Sequence, residues 1–275
     1  MTGGDSHGTR TDRGEATAAL SSRESLRFYL GTHHASQRWF DLGIPLFASR
    51  RVLTGRKRLP EARATWALDS GGFTELSLYG KWQTTEDEYV ADVLRFETEI
   101  GQLAWVAPQD WMCEPFMLEK TGLTIEEHQL RTVLNFERLR YALGDLVVPV
   151  LQGWARDDYL RHWEMYERFY FPLGPEPLVG LGSVCRRQNT AEAGRIVRSL
   201  APLRLHYFGA KITGLESFGD ALTSADSLAW SYDGRRLKTA CPEGRKSCAN
   251  CVHHALRWRD RLLTRLDQQR LEVAA

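Results

Sequence analysis

A chain of 275 residues with a formal net charge of +1 and 26% charged residues is long enough for one large domain around a substantial core. The charge balance demands no polyanionic partner, so a nucleic-acid substrate must be argued from local features. No run approaches the roughly 18 apolar residues of a membrane span, and the first residues lack the apolar stretch of a signal peptide, so a cytoplasmic protein without membrane contact is expected.

Residues 1–23 are rich in Gly, Thr, Ser and charge without an apolar period. They are expected to form a disordered N-terminal tail ahead of a domain at 24–275. From there short apolar runs alternate with helix-period segments, and strands are expected over 28–32, 65–68, 103–107, 146–151, 178–182, 205–209 and 227–230. Two helices between them have legible starts, where Thr85 and Thr124 are each answered three residues on by Glu88 and Glu127, the capping-box pattern. Tyr89, Val93, Phe96 and Ile100 then recur at helical spacing, as do Leu130 and Leu134 after the second start.

Strand and helix alternating seven or eight times predict a parallel sheet, and at this length a closed (β/α)8 TIM barrel competes with an open doubly wound sheet. Polar or glycine residues (His33, Asp69, Asp110, Gln152, Gly182, Lys211 and Asp226) follow the expected strand ends, where barrel enzymes keep their sites. No Gly-x-Gly-x-x-Gly opens a helix after the first strand, so a dinucleotide fold lacks its phosphate fingerprint. In Leu68-Asp69-Ser70-Gly71-Gly72-Phe73 an apolar run delivers a carboxylate into a Gly-Gly turn. With Asp226 far downstream it offers a pair that can divide nucleophilic and acid/base work at a glycosidic carbon.

Cys241, Cys248 and Cys251, followed by His253 and His254, put three thiolates and an imidazole within a short C-terminal insertion at 241–254. The Cys-x2-Cys spacing points to structural Zn2+ rather than to disulfides, with His254 preferred over His253 as fourth ligand. A helix at 255–271 follows, carrying Arg257, Arg259, Arg261, Arg265 and Arg270 opposite Leu256, Trp258, Leu262, Leu263 and Leu266. Its arginines are either a phosphate contact or a solvated face, and Arg186-Arg187 and Arg235-Arg236 are better placed for phosphate. Phe73, Trp111, Trp154 and Phe208 near strand ends can stack on a planar base or simply fill the core.

Asp69-Ser70-Gly71-Gly72-Phe73, Val150-Leu151-Gln152-Gly153, Val179-Gly180-Leu181-Gly182 and Ala225-Asp226-Ser227 occur in the order seen in tRNA-guanine transglycosylases. The chain resembles that superfamily over residues 28–260, and Gly31-Thr32-His33, Pro108-Gln109-Asp110-Trp111 and Asp226-Ser227-Leu228-Ala229-Trp230 look like the branch that inserts 7-deazaguanines into DNA. The resemblance implies Asp226 as nucleophile, Asp69 as acid/base, and Ser70, Gly71, Asp110 and Gln152 lining the base. It also implies Gly180 and Gly182 letting backbone amides reach the base oxygen, and Phe208 stacking on it. It further implies a preQ0-like incoming base, DNA as the partner nucleic acid, no redox cofactor, and a possible homodimer or helper protein. The rival readings are the same chemistry on tRNA or a free nucleotide, and a non-catalytic subunit. Thr74 stands where the family has glutamine, and the cysteines are spaced more widely than the family's.

Overall fold

Short apolar runs ending in polar residues supply eight strands in the computed structural model, which describes residues 26–184, 191–237, 241 and 243–274. They are β1 (Arg27–Thr32), β2 (Leu46–Ser49), β3 (Trp66–Asp69), β4 (Leu103–Val106), β5 (Val150–Leu151), β6 (Val179–Leu181), β7 (Leu205–Tyr207) and β8 (Ser224–Ser227). The expected tail and Arg186-Arg187 lie outside the described residues. All strand pairs are parallel, in the order β4-β3-β2-β1-β8-β7-β6-β5. Val106 of β4 is bridged to Val147, three residues before β5, where the Val148 amide donates to the Val106 carbonyl at 3.1 Å. The sheet thereby closes into the (β/α)8 barrel that the alternation predicts.

Side chains alternate across each strand, and that period of two builds both the core and the site. Tyr29, Phe47, Ala67, Trp105, Val148 and Leu178 fill the barrel interior, with Phe208 packed on them. Phe28, Leu30, Leu46, Ala48, Trp66 and Leu68 point outward into the larger core beneath the helices. Two residues beyond Phe47, Ala67 and Ser224 come Ser49, Asp69 and Asp226, so the same alternation lifts polar groups above the packed floor. Register aligns Ser49 with Asp69 and Tyr29 with Asp226.

Both capping boxes form, at the starts of Glu86–Ile100 and Ile125–Leu143. The first helix buries the expected stripe, but the second does not: Leu130 is exposed, Leu134 half-buried, and the inward face is His128, Gln129, Thr132, Val133, Phe136 and Leu139. Its first turns reach the polar end of the barrel, where inward positions are taken by hydrogen-bonding residues rather than by leucine. Two strands also differ from expectation. β2 was not foreseen, because Leu46-Phe47-Ala48-Ser49 is only 4 residues long and runs straight into the Arg50–Leu53 helical turn. β8 lies three residues earlier than 227–230, and Ala229 and Trp230 instead begin the helix Ala229–Arg236. There Trp230 packs on Trp39 at 5.2 Å and donates from Nε1 to the Gly31 carbonyl at 2.8 Å.

The helix Val252–Ala274 closes the outer layer, with Trp258 against Phe28 of β1 at 6.2 Å and Val252, Ala255 and Leu262 buried. Arg261 and Arg265 approach Asp233 and Glu216 of neighbouring helices at 3.7 Å, which ties this helix to the barrel. Among the described residues no helix is long and apolar enough to cross a membrane.

Candidate active site

Asp69 ends β3 and is held by the turn that follows it. Gly71 has φ +83°, a left-handed conformation that costs glycine little and lets its amide reach back to the Asp69 carboxylate, which also accepts from the Ser49 hydroxyl. A Cβ at Gly71 would meet Arg51 Cγ at 2.9 Å. Burial pushes the Asp69 carboxyl above the usual carboxylate range, and the Asp226 charge adds to that push against the two hydrogen bonds.

Asp226 is 5% exposed. Its Oδ1 accepts from the Gly209 amide at 2.8 Å, and its own carbonyl accepts from the Ala210 amide at 2.7 Å. His206 Nε2 stands 3.4 Å from the same Oδ1.

A buried polar wall continues from Asp69. Asp110 accepts from Ser70 Oγ at 3.3 Å and, in a short hydrogen bond, from Gln152 Nε2. Gln152 Oε1 in turn accepts from Ser183 Oγ at 2.6 Å. Burial, and then repulsion from Asp69, raise Asp110 to about 7 despite its hydrogen bonds from Gln152 and Ser70. Gln152 is held from behind: its carbonyl accepts from Gln129 Nε2 at 2.7 Å and its amide donates to His162 Nδ1 at 2.8 Å. Burial depresses His162 to about 3, so it is a neutral acceptor.

Sequence reasoning missed Ser183 and Glu114. Ser183 has φ +54°, uncommon for a residue with a side chain, and its hydroxyl lies 3.0 Å from Glu114 Oε2 while accepting from the Cys113 amide at 2.7 Å. Both belong to loops without a periodic signal. The nearest pointer is Ser183 standing directly after the Gly180-Leu181-Gly182 run.

Gly180 and Gly182 serve differently from expectation. Their amides are committed to the sheet, donating to the Pro149 and Leu151 carbonyls at 2.8 and 2.9 Å. What the missing side chains provide is room: a Cβ at Gly182 would lie 2.2 Å from Gln152 Nε2, and one at Gly180 2.7 Å from the Phe208 ring. The two glycines therefore make room for the Gln152 side-chain amide and the Phe208 ring.

Of the four aromatic candidates, Phe208 sits over the barrel core against Phe47 and Trp105 at 5.9 and 6.3 Å. Trp111 is buried between Arg131 and His128, which makes it a packing residue. Phe73 is 46% exposed and pairs edge-on with Phe116 at 6.0 Å, while Trp154 is half-buried.

Away from the carboxylates, Cys241, Cys248 and Cys251 are buried with their sulfurs within 4.8 Å of one another and no disulfide between them. Tetrahedral zinc with bonds of about 2.3 Å sets its sulfurs roughly 3.8 Å apart, so these three thiols fit a thiolate-bound metal. Among the described residues the group holds those thiols alone. His254, expected as fourth ligand, directs Nε2 to the Trp230 carbonyl at 3.1 Å and Asp233 Oδ2 at 3.3 Å, bracing the two last helices together. Protein purified without added metal is expected to hold close to one zinc per chain. Cys251→Ser is expected to lose that zinc and roughly 10 °C of Tm; metal analysis returning none from the wild type would exclude the site.

A (β/α)8 barrel that carries Asp69 and Asp226 near the ends of β3 and β8 is the arrangement of the tRNA-guanine transglycosylase superfamily. The chain belongs to one branch of it, the DpdA family (deoxypurine in DNA protein A), whose model matches residues 25–274. It is accordingly a guanine-replacing transglycosylase that acts on DNA. No curated protein matches the chain.

Proposed function

We propose that the protein replaces guanine in DNA with a 7-deazaguanine of the preQ0 type by double displacement. The placement of Asp69 at the end of β3 and Asp226 near the end of β8, on the same face of the barrel, carries this reading. Asp226 attacks C1′ and forms a covalent glycosyl-enzyme, while the C1′–N9 bond breaks and its electron pair leaves with guanine, which takes a proton from Asp69. The incoming base gives its N9 proton to the Asp69 carboxylate, bonds to C1′ and releases Asp226 as a carboxylate. A carboxyl raised by burial suits that shuttle, since it holds a proton at neutral pH more readily than an exposed one does.

With Gly209 holding Oδ1, the attacking oxygen is Oδ2. The ionised Asp110 accepts from the N1–H and N2–H2 edge of the base, beside the Gln152 amide, and Phe208 offers the stacking face. Arg235 and Arg236 are exposed after β8 and supply cations for backbone phosphates. The zinc of the cysteine cluster is structural, leaving all proton and group transfer to the carboxylates.

Offered a radiolabelled 7-deazaguanine with duplex DNA, tRNA or deoxyguanosine, the enzyme is expected to label DNA alone. Label in tRNA or in the free nucleoside would overturn the choice of acceptor.

Asp110 should weigh on stability as well. Its carboxyl titrates higher folded than unfolded, so the penalty is absent below about pH 4, grows as pH rises, and is complete above about pH 7. Asp110→Asn is expected to gain on the order of 2–4 kcal/mol at pH 8 and nothing near pH 4, while base binding weakens. Denaturant unfolding across that range checks it, and an Asn variant less stable than wild type at pH 8 would contradict the raised carboxyl.

A further inference from the structure

We infer that His206 is a positioning residue for the nucleophile, donating from Nε2 to Asp226 Oδ1 so that the carboxylate is aimed for attack and steadied as it departs. His206 is fully buried, and Nε2 stands 3.4 Å from Asp226 Oδ1 without a formed hydrogen bond to it or to any other group. A buried polar nitrogen left unpaired is costly, so its aim at the one carboxylate proposed to react calls for a function.

The tautomer follows from the neighbours. Nδ1 lies 2.8 Å from Ser224 Oγ, one residue pair across the β7–β8 ladder. With the serine hydroxyl donating to Nδ1, the ring proton sits on Nε2 and faces Asp226. The opposite tautomer would set a nitrogen lone pair against the carboxylate. Trp105 and Phe208 stand edge-on to the imidazole at 4.6 and 4.8 Å, with Phe47 and Tyr29 at 5.6 and 5.9 Å, so the ring is shielded by aromatic side chains. Burial lowers the pKa of His206, which keeps the ring neutral and its single remaining proton in place. Gly209 and His206 then converge on Oδ1 and leave Oδ2 for C1′. When the incoming base displaces Asp226, negative charge returns to the carboxylate, and the Nε2–H stabilises it most at that moment.

This rests on Asp226 as nucleophile, and the test separates the two claims. His206→Phe keeps an aromatic ring inside an aromatic cage and removes the donor, whereas His206→Gln keeps an N–H near the Nε2 position. The Phe variant is expected to lose about 30–100-fold in kcat, with KM for DNA and for the base within about twofold, and to accumulate covalent DNA adduct because release is slowed more than attack. The Gln variant is expected to recover to within about fivefold of wild type. A Phe variant within threefold of wild-type kcat, a loss expressed in KM alone, or a Gln variant as impaired as Phe would overturn the role of His206. If the Phe variant melts well below wild type, the Gln variant decides by its kcat. A wild type that forms no adduct would instead remove the nucleophile itself.

Discussion

Asp226→Ala is expected to bring base exchange down by roughly 10^4-fold or more and to abolish any protein–DNA adduct. In double displacement the nucleophile is the bond that conserves the sugar configuration and holds the DNA while bases are exchanged. No second carboxylate substitutes for it, because Asp69 is tied to Ser49 and Gly71, and Asp110 to Ser70 and Gln152. The variant should fold: removing the Asp226 charge lessens the push on the buried Asp69 carboxyl, at the cost of the hydrogen bond from the Gly209 amide to Oδ1. Nucleoside analysis of treated DNA, beside a melting curve, checks both halves. Undiminished exchange would take the role away from Asp226.

Asp69→Asn should slow turnover by about 10^2–10^4-fold through a different failure. An asparagine can keep contact with Ser49 and Gly71 and still fills the site, but it neither gives a proton to departing guanine nor takes one from the incoming N9. The adduct should therefore form slowly and persist, since the second base arrives with its proton in place. Asp226→Ala shows no adduct where Asp69→Asn shows a stable one, and quenched gels of the two distinguish them. Turnover by the Asn variant within tenfold of wild type would mean that another group moves the proton.

How far the residues disclosed this arrangement depended on where each lies. Asp69 was legible because an apolar run of strand length delivers it into a Gly-Gly turn, and Asp226 because the Ala225-Asp226-Ser227 segment carries the family resemblance. The capping boxes at Thr85 and Thr124 were legible because both partners lie within 4 residues of sequence. The supporting groups were not. Gln129 and His162 reach Gln152 from the inward faces of separate helices, where a polar residue interrupts the apolar stripe and reads as noise. Gly182 was picked out as small, but the Gln152 amide that a Cβ there would strike lies 30 residues earlier in the chain, beyond the reach of any local pattern. β8 was placed late because Ser224-Ala225-Asp226-Ser227 lacks apolar bulk, while the bulky Trp230 that resembled strand packs from a helix. His206 carried the faintest signal of all, a polar residue two positions before Phe208 on a strand whose alternate residues face the barrel interior.

Locating the covalent bond tests the central claim most directly. Wild-type protein is incubated with guanine-containing duplex DNA, denatured before the second base is added, digested, and analysed by peptide mass spectrometry. The account predicts a deoxyribosyl mass on the peptide containing Asp226, lost when a 7-deazaguanine is supplied before the quench. A sugar found on another residue, or base exchange proceeding with no adduct at any quench time, would contradict it.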